Sequence, residues 1–410
     1  TRLSPLHSDA IGAFHRSTTT EPSTLLSKYL QRLRVKMLSF KRALVAAAFL
    51  LTMLFLLSRS HETEGTLGEV SKSATSKDAD GSQKKPTSSS QANGDSSVSQ
   101  PENEAPAAQK PMIDLSKLPL REQLAYQYPY QLKSKFPAYI WQTWKRTPRD
   151  DGFEFRDHET SWTEEHPGFI HEVITDDVAN SLLSLLYASV PTVLEAYKSL
   201  PLPVLRADFF RYLILYARGG IYSDIDTFAL RSALEWVPQS IPRNTVGLVI
   251  GIEADPDRED WADWYSRRIQ FCQWTIQAKP GHPALREVIV RITEETLKRK
   301  RAGTLQKTLD KNVIEFTGPA IWTDALFDYF NDERFFNTKA SGAVLDWHNF
   351  TGITEPKKVG DVVVLPITGF SPGVKQMGAG EYDDPQAMVR HDFEGTWKPE
   401  HERHIGEIFD

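Results

Sequence analysis

Apolar and polar positions divide the chain into stretches with different rhythms. Residues 1–37 are polar and show no periodic apolar face. From Ala43 to Leu57 nearly every position is apolar and none is charged. Adding Leu38 to Phe40, with Lys41 and Arg42 reaching back to the interface, makes 38–57 a short membrane span. Residues 58–112 are rich in Ser, Lys, Gln, Asp, Ala and Pro and nearly lack aromatic or branched apolar side chains. Such a stretch cannot bury enough surface to offset its ordering entropy, so it reads as a disordered stem. From 113 onward strand-like and helix-like rhythms alternate. They predict strands at 136–144, 169–175, 221–223, 245–252 and 362–366. They predict helices at 176–189, 192–200, 204–217, 283–301 and 319–331, the third of these stopped by Gly219 and Gly220. Alternating strands and helices predict an α/β domain with a mostly parallel sheet over 113–410.

Composition sharpens this division. All ten tryptophans lie beyond residue 113, in the part predicted to be globular. A net charge of −6 gives no basic footprint for nucleic acid. Cys272 is the single cysteine, which excludes an intrachain disulfide. Lys28, Arg32, Arg34, Lys36, Lys41 and Arg42 precede the apolar run, and only Arg59 closely follows it. That asymmetry puts the N-terminus in the cytosol and the bulk of the chain in a lumen. No small-x-small cleavage site follows the run, so it reads as an uncleaved signal anchor of a single-pass type II protein. Met37 stands just ahead of it as the expected start, which makes 1–37 a cytosolic tail or a gene-model extension. The sequon Asn349-Phe-Thr351 is compatible with lumenal exposure.

The strongest chemical signal is Gly219-Gly-Ile-Tyr-Ser-Asp-Ile-Asp-Thr227. Asp224 and Asp226 fall where a short apolar strand runs out, the end at which open α/β sheets bind ligands. If the backbone turns there, both carboxylates can face one hard cation such as Mn²⁺ or Mg²⁺. An isolated Asp-x-Asp also occurs in many surface turns. In the preceding helix Asp208 and Arg211 share a face. They read either as a surface ion pair, worth ~0–1 kcal/mol, or as a pair leaning toward a ligand. Glu253-Ala-Asp-Pro-Asp257 is a second acidic cluster, expected to be a solvated loop rather than a binder of acceptor hydroxyls.

The stretch from Leu205-Arg-Ala-Asp-Phe-Phe-Arg211 through Gly-Gly-Ile-Tyr-Ser-Asp-Ile-Asp226 resembles the signature of family 32 glycosyltransferases. Tyr139-Ile-Trp-Gln-Thr-Trp144 resembles the family's first strand. Residues 247–261 and Thr317-Gly-Pro-Ala-Ile-Trp322 are similar to its fungal α-1,6-mannosyltransferases. The resemblance implies a GT-A type nucleotide-sugar-binding domain on a transmembrane anchor in the Golgi. It implies retaining transfer of mannose from GDP-mannose, in α-1,6 linkage, to the N-glycan core. Asp226 would bind Mn²⁺ (Mg²⁺ being the alternative), and Asp224 would contact the metal or the donor. His391 would be the distant ligand, although an isolated His is more often structural. Asp208, Arg211 and Tyr222 would hold the donor sugar, and Trp397 and Lys398 the diphosphate. Trp141, with Thr143 nearby, would line the nucleobase pocket; the ring alone serves core packing equally well. The rival readings are a sister subunit of a Golgi mannan polymerase complex and a non-catalytic glycan-binding scaffold. The paired carboxylates argue against the scaffold. The polar stretch 396–410 argues against relatives that act on inositol phosphoceramide, which are expected to carry further spans.

Overall fold

A computed structural model describes residues 114–256, 258–306, 313–336 and 344–396. The predicted tail, the anchor at 38–57, the stem, Asp257, Trp397 and Lys398 lie outside the described residues. Among the described residues no helix is long and apolar enough to cross a membrane.

The strands are β1 (Tyr139–Thr143), β2 (Ile170–Ile174), β3 (Gly220–Ser223), β4 (Thr227–Ala229), β5 (Leu248–Ala254), β6 (Gln270–Phe271), β7 (Thr275–Ala278), β8 (Lys357–Val359), β9 (Val362–Leu365) and β10 (Val389–His391). The helices that matter below are α1 (Leu120–Gln127), α2 (Arg156–Glu165), α3 (Asp176–Leu186), α4 (Pro191–Ser199), α5 (Pro203–Arg218), α6 (Pro283–Arg301) and α7 (Pro319–Phe330). The main sheet has the order β2-β1-β3-β7-β5-β9-β8, with β6 on β5. Strands β1, β2, β3, β5 and β9 run one way, and β6, β7 and β8 are reversed. The sheet is therefore mixed and mostly parallel in direction. Its carboxyl edge carries the ends of β3 and β5 side by side across β7.

Side chains alternate across this sheet, as a period-two pattern requires. Trp141, Tyr222, Leu248, Ile250, Val362 and Val364 enter one core cluster with α3 to α7. Ile140, Ile221, Val249, Val363 and Leu365 enter a second with Trp162 of α2 and Trp236. Helix α5 starts on Pro203, whose fixed φ suits a first turn. It is buried at almost every position from Leu205 to Ala217, so it is a central element and not an amphipathic surface helix. The helix-to-strand change at its end needs glycine twice. Gly219 (φ 65°) and Gly220 (φ 96°) lie in the left-handed region. A Cβ on Gly220 would also sit 2.6 Å from the Tyr139 carbonyl oxygen. That hinge joins the end of α5 to β3.

Candidate active site

The turn after β3 is built from its backbone outward. The Asp224 N–H donates to the Trp274 carbonyl at 2.9 Å. The Asp224 carbonyl in turn accepts from Gln142 Nε2 at 3.0 Å and Thr227 Oγ1 at 2.6 Å. Ile225, between the two acids, is buried against Phe153 and Phe155. With the middle residue fixed inward and the chain turning straight into β4, the flanking carboxylates converge instead of facing opposite sides of a sheet. Strand β4 then pairs antiparallel with β10, His391 opposite Thr227. This ladder delivers an imidazole from far along the chain, its Nε2 at 3.2 Å from Asp226 Oδ1. The backbone N–H of Glu394 donates to Asp226 Oδ2 at 3.1 Å. Phe393, between them, adopts φ 50°, a conformation rare outside glycine, and its ring lies against His391. Ligand atoms of Asp224, Asp226 and His391 all lie within 4.8 Å of one another.

Beneath this triad the geometry overturns the surface reading of Asp208 and Arg211. Both are buried, at 2% and 3% exposure. Arg211 Nη2 pairs with Asp208 Oδ1 at 2.9 Å and with Asp224 Oδ1 at 3.1 Å, so the guanidinium links helix α5 to the turn. Asp208 also accepts from Thr317 Oγ1 at 2.7 Å and from Gln273 Nε2 at 3.3 Å. Tyr222 O–H donates to Asp224 Oδ1 at 2.9 Å, with Thr143 Oγ1 3.1 Å from the same phenol oxygen. Trp141 is the exception among the sequence candidates. It lies in the core at 8% exposure, stacked on Tyr139, with its indole N–H donating to the Gly219 carbonyl. Its ring is thus packed in the core against Tyr139.

In the second acidic cluster, Glu253 and Asp255 are not part of the solvated loop expected. Glu253 is part of β5, and its Oε2 is buried without a partner. Asp255 is buried and tied to Arg268 Nη1 at 2.8 Å, Thr351 Oγ1 and the Gly352 N–H. Glu253 was within reach of sequence reasoning: like Asp224, it is a carboxylate at the carboxyl end of an apolar strand. Gln273 and Thr317 carried no such signal.

The electrostatics favour a bound cation. Burial pushes the Asp224 carboxyl above its ordinary value, with Asp226 adding to the effect against the pull of Arg211. Burial would do the same to Asp226, but the His391 charge, its hydrogen bond and the Glu394 N–H hold it below the usual range. Burial also opposes a charge on His391, yet Asp226 outweighs it and raises that imidazole. Glu253 is pushed up to about 7, chiefly by burial. Three acids (Asp208, Asp224 and Asp226) thus share one guanidinium, Arg211, and with His391 neutral as a ligand one divalent cation would balance the two remaining charges. Two carboxylates and an imidazole suit Mn²⁺ or Mg²⁺ chemically, with open positions left for ligand oxygens.

Residues 152–242, which span α2 to β4, match the family described as the glycosyltransferase sugar-binding region containing DXD motif. The initiation-specific α-1,6-mannosyltransferase of Candida albicans is 49% identical over 294 residues, covering 68% of this chain and 76% of the relative. The protein of the same name from Schizosaccharomyces pombe is 45% identical, covering 67% and 66%. That from Saccharomyces cerevisiae is 36% identical, covering 70% and 83%.

Proposed function

The chain belongs to the fungal initiation-specific α-1,6-mannosyltransferase family of DXD glycosyltransferases, and from that premise we propose that it transfers mannose from GDP-mannose in α-1,6 linkage to the core of an N-glycan, starting an outer mannan chain. The observation that carries this reading is the Asp224–Asp226–His391 triad joined through Arg211 to the buried Asp208. Asp224, Asp226 and His391 hold Mn²⁺, or Mg²⁺ in its place. When bound, the cation offsets charge on the leaving diphosphate. Arg211 and Asp208 orient the transferred sugar, and Tyr222 fixes Asp224. The reaction retains configuration by same-face attack, in which the departing phosphate takes the proton of the acceptor hydroxyl. The protein's share is then positioning and a prearranged field. Residues 38–57 anchor the chain in the Golgi membrane as a single-pass type II protein with its catalytic domain in the lumen, where it can join a mannosyltransferase complex.

The test is transfer by the full chain, with GDP-mannose, Mn²⁺ and a high-mannose N-glycan, followed by linkage analysis. A new α-1,6 mannose is expected, absent with chelator and absent in Asp226→Ala. An active Asp226→Ala variant refutes the metal assignment. Extension only of linear α-1,6 oligomannose refutes the initiating role and favours a polymerase subunit.

A further inference from the structure

The active-site description leaves two kinds of polar atom without partners in one place. Arg211 spends Nη2 on Asp208 and Asp224, while its Nε and Nη1 are buried with nothing to donate to. Glu253 Oε2 is buried with nothing to accept from. Arg211 forms its ion pairs with Asp208 and Asp224 and not with Glu253, so these atoms do not satisfy each other. Burying such groups unpaired is costly, and a fold keeps them mainly where something else completes them.

One short segment runs from the strand end that carries Glu253 to the turn that carries Asp224. In residues 270–274, Gln270 of β6 pairs with Ala254, next to Glu253 in β5. Gln273 holds Asp208. Trp274 packs on His391 at 4.5 Å between ring centres and accepts the Asp224 N–H. Strand β5 lies one strand away from β3 across β7, and their carboxyl ends share an edge.

The orphan set selects its ligand. A phosphate oxygen only accepts, which suits Arg211 but sets like charge against Glu253. A hydroxyl both accepts and donates, so neighbouring hydroxyls on one ring can satisfy the guanidinium and the carboxylate together. We propose that Glu253 is a sugar-binding residue of the donor site, accepting a hydrogen bond from a hydroxyl of the transferred hexose while Arg211 donates to another. This rests on the reading that the site takes a sugar nucleotide. It adds a carboxylate from β5 to the acids of the turn, and makes recognition of the hexose separable from recognition of the nucleoside diphosphate.

The experiment compares GDP with GDP-mannose binding to the full chain by calorimetry with Mn²⁺ present, in wild type and in Glu253→Gln. The variant keeps the shape and loses the charged acceptor. GDP affinity should stay within about twofold, and GDP-mannose affinity should fall about 10- to 100-fold, the range for a hydrogen bond to a charged group. Equal loss for both ligands overturns the inference, and so does no loss for either, including the case where the variant weakens only the glycan acceptor. If Gln at this position lowers the melting temperature, Glu253→Asp carries the same comparison. Wild type that fails to bind GDP-mannose overturns the donor assignment itself, and this inference with it.

Discussion

Asp208 gives the sharpest test of the buried charge network. Its carboxylate accepts from Arg211, Thr317 and Gln273, tying α5 to the start of α7 and to the segment before β7. Asp208→Ala removes the acceptor of all three contacts from a site that is 2% exposed. Losing one partner of a buried ion pair costs about 3–5 kcal/mol. Arg211 keeps Asp224, which puts this case near the lower end, about 3 kcal/mol. The stranded Thr317 hydroxyl and Gln273 amide add roughly 0.5–1 kcal/mol each. A total near 4 kcal/mol corresponds to a fall in melting temperature of roughly 10 °C for a domain of this size. Thermal melts by near-UV circular dichroism, paired with urea midpoints, would measure it. Asp208→Asn keeps shape and one acceptor, so it should lose about half as much stability yet still lose transfer, because Arg211 is then held by the Asp224 charge alone. The reasoning fails if Asp208→Ala melts within about 2 °C of wild type, since that shift corresponds to roughly 1 kcal/mol or less.

Two further predictions lie away from this network. Asp361 accepts from Tyr130 and Tyr329 and faces His282; burial opposes its charge, but these partners hold its carboxyl well below the usual range. A depressed folded value gives stability that is present above the ordinary carboxylate range and lost as pH falls through the folded value. Wild type should therefore weaken steadily in acid, and Asp361→Asn should show lower stability at neutral pH with a flatter acid limb in urea titrations. Cys272 is buried, and burial pushes its thiol well above the ordinary value. A disulfide-exchange reagent should find no reactive thiol in the native chain and one after unfolding, and rapid native labelling would contradict the burial described.

The reach of the sequence follows the range of the interactions involved. Helix α5, the glycine hinge, β3 and the long helices α6 and α7 were legible because each carries its own local rhythm and stop signal. Strand β7 was not. Its Thr-Ile-Gln-Ala is buried at every position, so it shows no alternation, and its reversed direction depends on pairing with β3 and β5. Three-residue strands such as β4 and β10 are too short to have a period. His391 could be named only through resemblance, because its position depends on that pairing. Asp208 and Arg211 were recognisable as a pair, but their depth was not, since an i,i+3 spacing reads the same on a surface as in a core. For Trp141 one residue allowed two roles, and the structure adds its packing against Tyr139.

The β4–β10 ladder also sets an order in time. The two carboxylates emerge early in translation, and the imidazole that completes their set lies 165 residues later. At roughly 5–20 residues per second this is an interval of about ten to thirty seconds. By its end, a nascent chain holds every strand of the main sheet and the Asp208–Arg211 pair but still lacks His391. A product broken off between residue 242 and β10 would carry the sugar-binding region and still lack the imidazole of the candidate metal site. The ladder therefore ties assembly of this candidate site to synthesis of β10, and a fragment that ends before it should lack transfer activity.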